Sequence, residues 1–161
     1  EKVMSEIKVL IPYNFSVHDR MAFDFIIRML AGRDDVYISI FNTYPPVPKI
    51  DFKANPELKG MKNGFSRISE ELKRKEEGLN AAKEYLIKGG FKDKQVNIIF
   101  KEKQMKIDDE IVHTIKEGEF NIVILTPTPG KVKKLFARSV HEKVLSSVRN
   151  VTVCLPLDCL A

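Results

Sequence analysis

The chain has no tryptophan, two cysteines in 161 residues, and eight glycines that never gather at phosphate-cradling spacing. Each shortage closes off a class of function. Cys154 and Cys159 give neither a disulfide framework nor a four-ligand zinc set. Cys154 sits in the apolar run Val151–Leu155 and reads as a small buried hydrophobe, while Cys159 reads as an exposed tail thiol, so a redox pair is not expected. His18, His113 and His141 form no metal-binding spacing, which argues against a metal site. His141 stands two residues from Ser139 on one predicted helix. Residues so spaced do not face each other, so no nucleophile–base pair and no catalytic residue is expected. No apolar stretch reaches the roughly 20 residues of a membrane span, and no secretory signal is visible. A reduced, cytoplasmic setting is the expectation. The opening at Glu1 instead of Met is compatible with a piece of a larger tandem or membrane-attached protein.

What is present fits one globular domain. Hydrophobic residues make up 43% and charged residues 30%, enough for a full core without staples. The net charge of +5 permits weak attraction to phosphates. The lysines and arginines, however, alternate with glutamates, as along 70–77, which is the pattern of a solvated helix face. No nucleic-acid partner is expected; a salt-dependent gel shift would reveal one.

Five short runs rich in Ile, Val and Phe stand out: Ile7–Ile11, Val36–Thr43, Val96–Phe100, Asn121–Thr126 and Val151–Leu155. They are nearly continuous in apolar character, as strands covered on both faces must be. Helical periodicity fills the gaps. Ser16 can cap a helix to about Ala31, stopped by Gly32, with Met21, Ala22, Phe25, Ile26, Met29 and Leu30 inward. A longer helix is predicted over about Phe65–Lys88, ending at Gly89-Gly90. Its stripe is Ile68, Leu72, Leu79, Ala82 and Leu86, and Gly78 is its weak point. A third spans about Ile107–Lys116 and ends at Gly118. A fourth spans about Ser139–Arg149 with Val140, Val144, Leu145 and Val148 inward. This alternation predicts an α/β fold, a five-stranded parallel doubly wound sheet with helices on both faces. Ligands of such sheets bind at the carboxyl ends of the strands, where the winding reverses. Pro45, Pro46, Pro48 and Pro56 forbid a helix through the first part of the Tyr44–Asn63 connection, and connections this long are usually functional or mobile.

Several of these runs resemble universal stress proteins. Ile7-Lys-Val-Leu-Ile-Pro-Tyr-Asn-Phe-Ser16 followed by Ala22 is similar to that family's first strand and loop. Ile38–Pro46 resembles its second strand, Phe120–Thr126 its fourth and Val151–Pro156 its last. Ser139-Val-His-Glu-Lys-Val-Leu145 is the closest likeness. The resemblance spans nearly the whole chain. It implies a flavodoxin-like strand order 3-2-1-4-5, a crevice with Asn14 and Thr126 at its mouth, and a homodimer built on the last strand as an open sheet edge. A further protein partner is also consistent with it. ATP or AMP, with magnesium, is the ligand the resemblance points to. The cofactor-binding positions it implies begin with Asn14, Thr43 and Thr126. They continue through Thr128, Gly130 and Arg138 to Ser139 and Val140.

The phosphate loop departs from the pattern of ATP-binding members. The aspartate after the first strand is Asn14, which can still accept a hydrogen bond but carries no charge. Counted back from Ser139, the three glycine positions hold Leu125, Thr128 and Arg138; counted from the strand, the first two hold Thr126 and Pro129. Only Gly130 remains in that loop, and Pro127 and Pro129 remove two amide donors. Ser139 also fits a capping box with Glu142, which gives it a purely structural reading. Lys131, Lys133, Lys134 and Arg138 add positive charge that reads more readily as solvated surface than as a phosphate clamp. The expectation is therefore a non-enzymatic regulatory module with a degenerate nucleotide pocket. The alternative is an ATP or AMP binder with an altered loop and at most slow hydrolysis. An electron-transfer flavoprotein subunit or a nucleotide-activating enzyme is a third reading, weakened by the lack of a glycine-rich loop after the first strand.

Overall fold

The apolar runs become five strands, β1 (Ile7–Pro12), β2 (Val36–Tyr44), β3 (Val96–Glu102), β4 (Ile122–Ile124) and β5 (Thr152–Cys154). The periodic segments become α1 (Asp19–Leu30), α2 (Lys62–Lys88), α3 (Ile107–Glu117) and α4 (Val140–Ser147). The structure, a computed structural model, describes residues 5–126 and 140–156. All neighbouring strands pair in parallel, in the order β3-β2-β1-β4-β5. The fold is thus the parallel α/β sheet expected from the alternation, in the flavodoxin-like order that the family resemblance implies.

The crossover helices are divided between the two faces of the sheet. α1 and α2 cover one face over a core of Val9, Ile11, Phe23, Ile26, Ile38, Ile40, Leu79 and Leu86. α3 and α4 cover the other, over Leu10, Phe41, Ile111, Ile115, Val123 and Val144. The sheet residues alternate between the two cores, Val9 and Ile11 to one and Leu10 to the other, as strand geometry requires.

Several expectations need correction. α1 buries Asp19, Ala22, Phe23 and Ile26, whereas Phe25 and Met29 are 39% and 60% exposed. The helix is turned by its first residue: Asp19 is drawn into the protein, and 22, 23 and 26 share its face. Leu145 of α4 also faces outward. α2 starts at Lys62, after a short 3-10 turn over Pro56–Met61, so the irregular connection shrinks to 45–55. Its 27 residues span about 40 Å, against about 30 Å for the nine-residue β2. Ile68 and Leu72 therefore lie toward the overhanging end and are only half-buried, while Leu79, Ala82 and Leu86 are buried. Phe52 of the connection packs edge-on against Phe65, 5.4 Å between ring centroids. α3 ends on Gly118 as expected, but the left-handed residue is Glu119, at φ 52°. Gly118 is needed for space, since a Cβ there would lie 2.3 Å from the Phe120 ring.

Candidate functional site

The winding reverses between β1 and β4, so the crevice lies at their carboxyl ends. One lip is the loop 13–18 leading into α1. The other begins at Leu125 and Thr126, just past β4. Tyr13 continues the β1 ladder by donating its amide to the Phe41 carbonyl, and its own carbonyl accepts from the Asn42 side-chain amide at 2.6 Å. The Asn42 Oδ1 is buried and finds no donor among the described residues. Sequence reasoning missed this acceptor because nothing sets one asparagine in a strand apart.

The side chain that organises the lips is Asp19, which the sequence pattern does not single out. It is fully buried. Its Oδ2 accepts the backbone amides of Asn14 (3.0 Å) and Ser16 (2.8 Å). Its Oδ1 accepts the Thr126 hydroxyl at 2.7 Å. The Ser16 carbonyl in turn accepts the Asp19 amide, and the Ser16 hydroxyl accepts the His18 amide. Ser16-x-x-Asp19 has the spacing of a capping box. The helix, however, begins at Asp19 with His18 at its N-cap and no side-chain cap. The expected Ser16 cap therefore does not form, and the acid reaches back to a loop amide instead. The same carboxylate also crosses 107 residues of sequence to hold the chain just past β4.

A charged group this deep is tolerable only when its oxygens are satisfied, and three donors do so. The consequence for the crevice is electrostatic. The only carboxylate drawn to it among the described residues is spent inside the protein, and the exposed Asn14 side chain carries no charge. Thr126 is 5% exposed and its hydroxyl is committed to Asp19. Thr43 lies half-buried near the end of β2, and Val140 opens α4 half-buried against the second core. Asn14, Thr43, Thr126 and Val140 therefore gather at the carboxyl end of the sheet. Thr128, Gly130, Arg138 and Ser139 lie outside the described residues, as does the cap expected of Ser139.

Burial shifts two nearby groups. It lowers the pKa of the His141 imidazole, next along α4, which stays neutral near pH 7; neither ring nitrogen has a partner among the described residues. It raises that of the Tyr13 phenol, with the Asp19 charge adding to the effect. Burial also pushes the Cys154 thiol up, away from the reactive thiolate. Among the described residues no cluster of His, Cys, Asp or Glu could hold a metal ion, and no helix is long and apolar enough to cross a membrane.

No family model matches the chain, and no curated protein matches it. Solved structures do. The hypothetical protein MJ0577 superposes with a TM-score of 0.65 at 18% identity, over 93% of this chain and 94% of that one. A universal stress protein from Archaeoglobus fulgidus, solved with dAMP, superposes at 0.57 and 14% identity, over 93% and 96%. A universal stress protein solved in complex with cAMP superposes at 0.59 and 13% identity, over 94% and 96%. At these identities what is shared is the fold: the chain has the universal stress protein architecture across nearly its whole length.

Proposed function

We propose that the protein is a universal stress protein-like regulatory module, a homodimer rather than an enzyme, whose crevice binds adenine nucleotides weakly. One observation carries this reading. Asp19 takes the Asn14 and Ser16 amides and the Thr126 hydroxyl for itself. A ligand at the lip meets an uncharged Asn14 and polar groups that are already bonded. Downstream, Pro127 and Pro129 withhold two amides from any phosphate and Gly130 is the only glycine of that loop. Calorimetric titration with ATP and magnesium tests it. Absent or millimolar binding is expected; saturable micromolar binding would reject the weak-pocket reading.

A second reading, a true AMP binder with an altered loop, is favoured by the solved relatives with dAMP and cAMP. The exposed Asn14 side-chain amide offers a base hydrogen bonds without needing a phosphate loop. One-to-one AMP binding that Asn14→Ala weakens would establish it. Either reading places the activity in binding, with at most slow ATP hydrolysis.

The dimer is proposed to form through β5. Among the described residues that strand pairs only with β4, which leaves its outer edge for a twin. α1 supplies the apolar flank. Its Arg20, Asp24 and Ile27 face α2, through Tyr85 and Gly89. Phe25 and Met29 lie on the side of the helix away from those residues and are exposed. Sedimentation should show a dimer, and Phe25→Glu combined with Met29→Lys should leave a folded monomer. A wild-type monomer at high concentration refutes the proposed assembly.

A further inference from the structure

A second hollow, of roughly 500 Å³, opens between α1 and α2 beside the 13–18 loop, and neither Leu125 nor Thr126 lines it. It is walled by a chain of four aromatic rings. Phe15 lies 4.6 Å from Tyr13, Tyr13 lies 5.6 Å from Phe23, and Phe23 lies 6.3 Å from Tyr85, centroid to centroid. At the far end the Arg20 guanidinium stacks on Tyr85, 5.1 Å from the ring centroid. Its Nε donates to the Tyr85 hydroxyl, which donates to Asp24. The Arg20 side chain is exposed, and its two terminal nitrogens have no partner among the described residues.

Two locally unfavourable choices maintain the wall. Phe15 adopts φ 58°, a conformation that bulky residues avoid. Gly78 sits inside α2, where glycine costs about 1 kcal/mol relative to alanine. The two are coupled, because a Cβ on Gly78 would lie 2.8 Å from the Phe15 ring. Ala81 and Ala82 line the hollow and keep that stretch of α2 short-chained.

We infer that this slot is a ligand site, separate from the crevice, for a flat aromatic monocarboxylate. Phe15 rests on Gly78 and Arg20 stacks on Tyr85 seven residues later, a rise of roughly 10 Å along α2. That length takes one bicyclic ring with a short acid arm and is too short for an extended peptide. The rings supply stacking partners. The free end of Arg20 can grip a carboxylate through two parallel hydrogen bonds. Asp24 beside the same guanidinium disfavours the double charge of a phosphate.

The probe is indole-3-acetate, titrated into the full chain by calorimetry and by saturation-transfer NMR. Saturable binding is expected, with neutral indole weaker by about tenfold through loss of the ion pair. Arg20→Gln should bring indole-3-acetate down to the affinity of indole. Ala81→Phe, at an exposed helix position, should fill the slot and abolish both while leaving the thermal melt in place. No saturable binding by a folded wild type, or binding that survives both variants, overturns the inference. AMP titrated in the same way reports on the crevice, so failure of one site is distinguishable from failure of the other.

Discussion

Two loops of this molecule solve one problem differently. Each precedes a helix, and each is pinned by a fully buried carboxylate in that helix's first turn or just after it: Asp19 for the loop before α1, Glu110 for the loop before α3. Each carboxylate accepts two loop amides, from Asn14 and Ser16 in one case and from Gln104 and Met105 in the other. They differ in the third partner. Asp19 takes the buried hydroxyl of Thr126, reaching across the crevice. Glu110 takes the Lys101 ammonium, 3.1 Å away and 36% exposed. One is a tie between two lips of a candidate site, and the other is a half-open ion pair at the rim of the sheet. A polar group that can reach water when its partner is lost costs less to strand than one that cannot.

The largest effect should therefore separate them. Asp19→Ala strands two amides and a hydroxyl that has no route to solvent, and should cost about 3–5 kcal/mol. Glu110→Ala frees Lys101 to hydrate and should cost about 1–3 kcal/mol. Urea denaturation of the two variants measures the gap; equal costs would mean that the Thr126 bond contributes little. Asp19→Asn keeps the shape and should fall between, since one amide oxygen can still accept from the loop.

Much of this arrangement was legible in the sequence, and the remainder was not for definite reasons. Strand runs such as Ile7–Ile11 announce themselves because burial on both faces leaves no polar position. The strand order followed only from the likeness of Ser139–Leu145 and its companions, since alternation alone is silent on which strands adjoin. The α1 stripe was misread at Phe25 and Met29 because helical periodicity gives a spacing and not a starting angle. The starting angle was set by Asp19, whose capping pattern with Ser16 was present but read as a cap for Ser16 alone. Asn42 and Glu110 were invisible because their role depends on partners that are brought near only by folding.

The second effect concerns pH and Glu110. Burial pushes its carboxyl upward. The amides of Gln104 and Met105 and the Lys101 ammonium pull it down by more, so the folded pKa lies below the ordinary 4.5. A depressed carboxylate contributes stability that is present above its unfolded pKa and disappears as pH falls through the folded one. Between about pH 6 and about pH 3.5 the wild type should thus lose more stability than Glu110→Gln does. Thermal melts at both values test the sign; parallel losses would show that the pair contributes nothing to acid sensitivity.

The smallest effect sharpens the contrast between the two ends of α2. Glycine to alanine inside a helix ordinarily stabilises by up to about 1 kcal/mol. Gly64, near the overhanging start, has nothing within 4 Å of an added Cβ, so Gly64→Ala should follow that rule. Gly78 lies beneath Phe15, whose ring would have to leave its place against the helix. Gly78→Ala should therefore gain nothing or lose about 1 kcal/mol, with the steric cost offsetting the propensity gain. The same substitution in one helix then carries opposite signs, read as the difference between two urea midpoints. If both alanines stabilise alike, Phe15 is not held by the bare backbone, and the aromatic wall built on it is free to move.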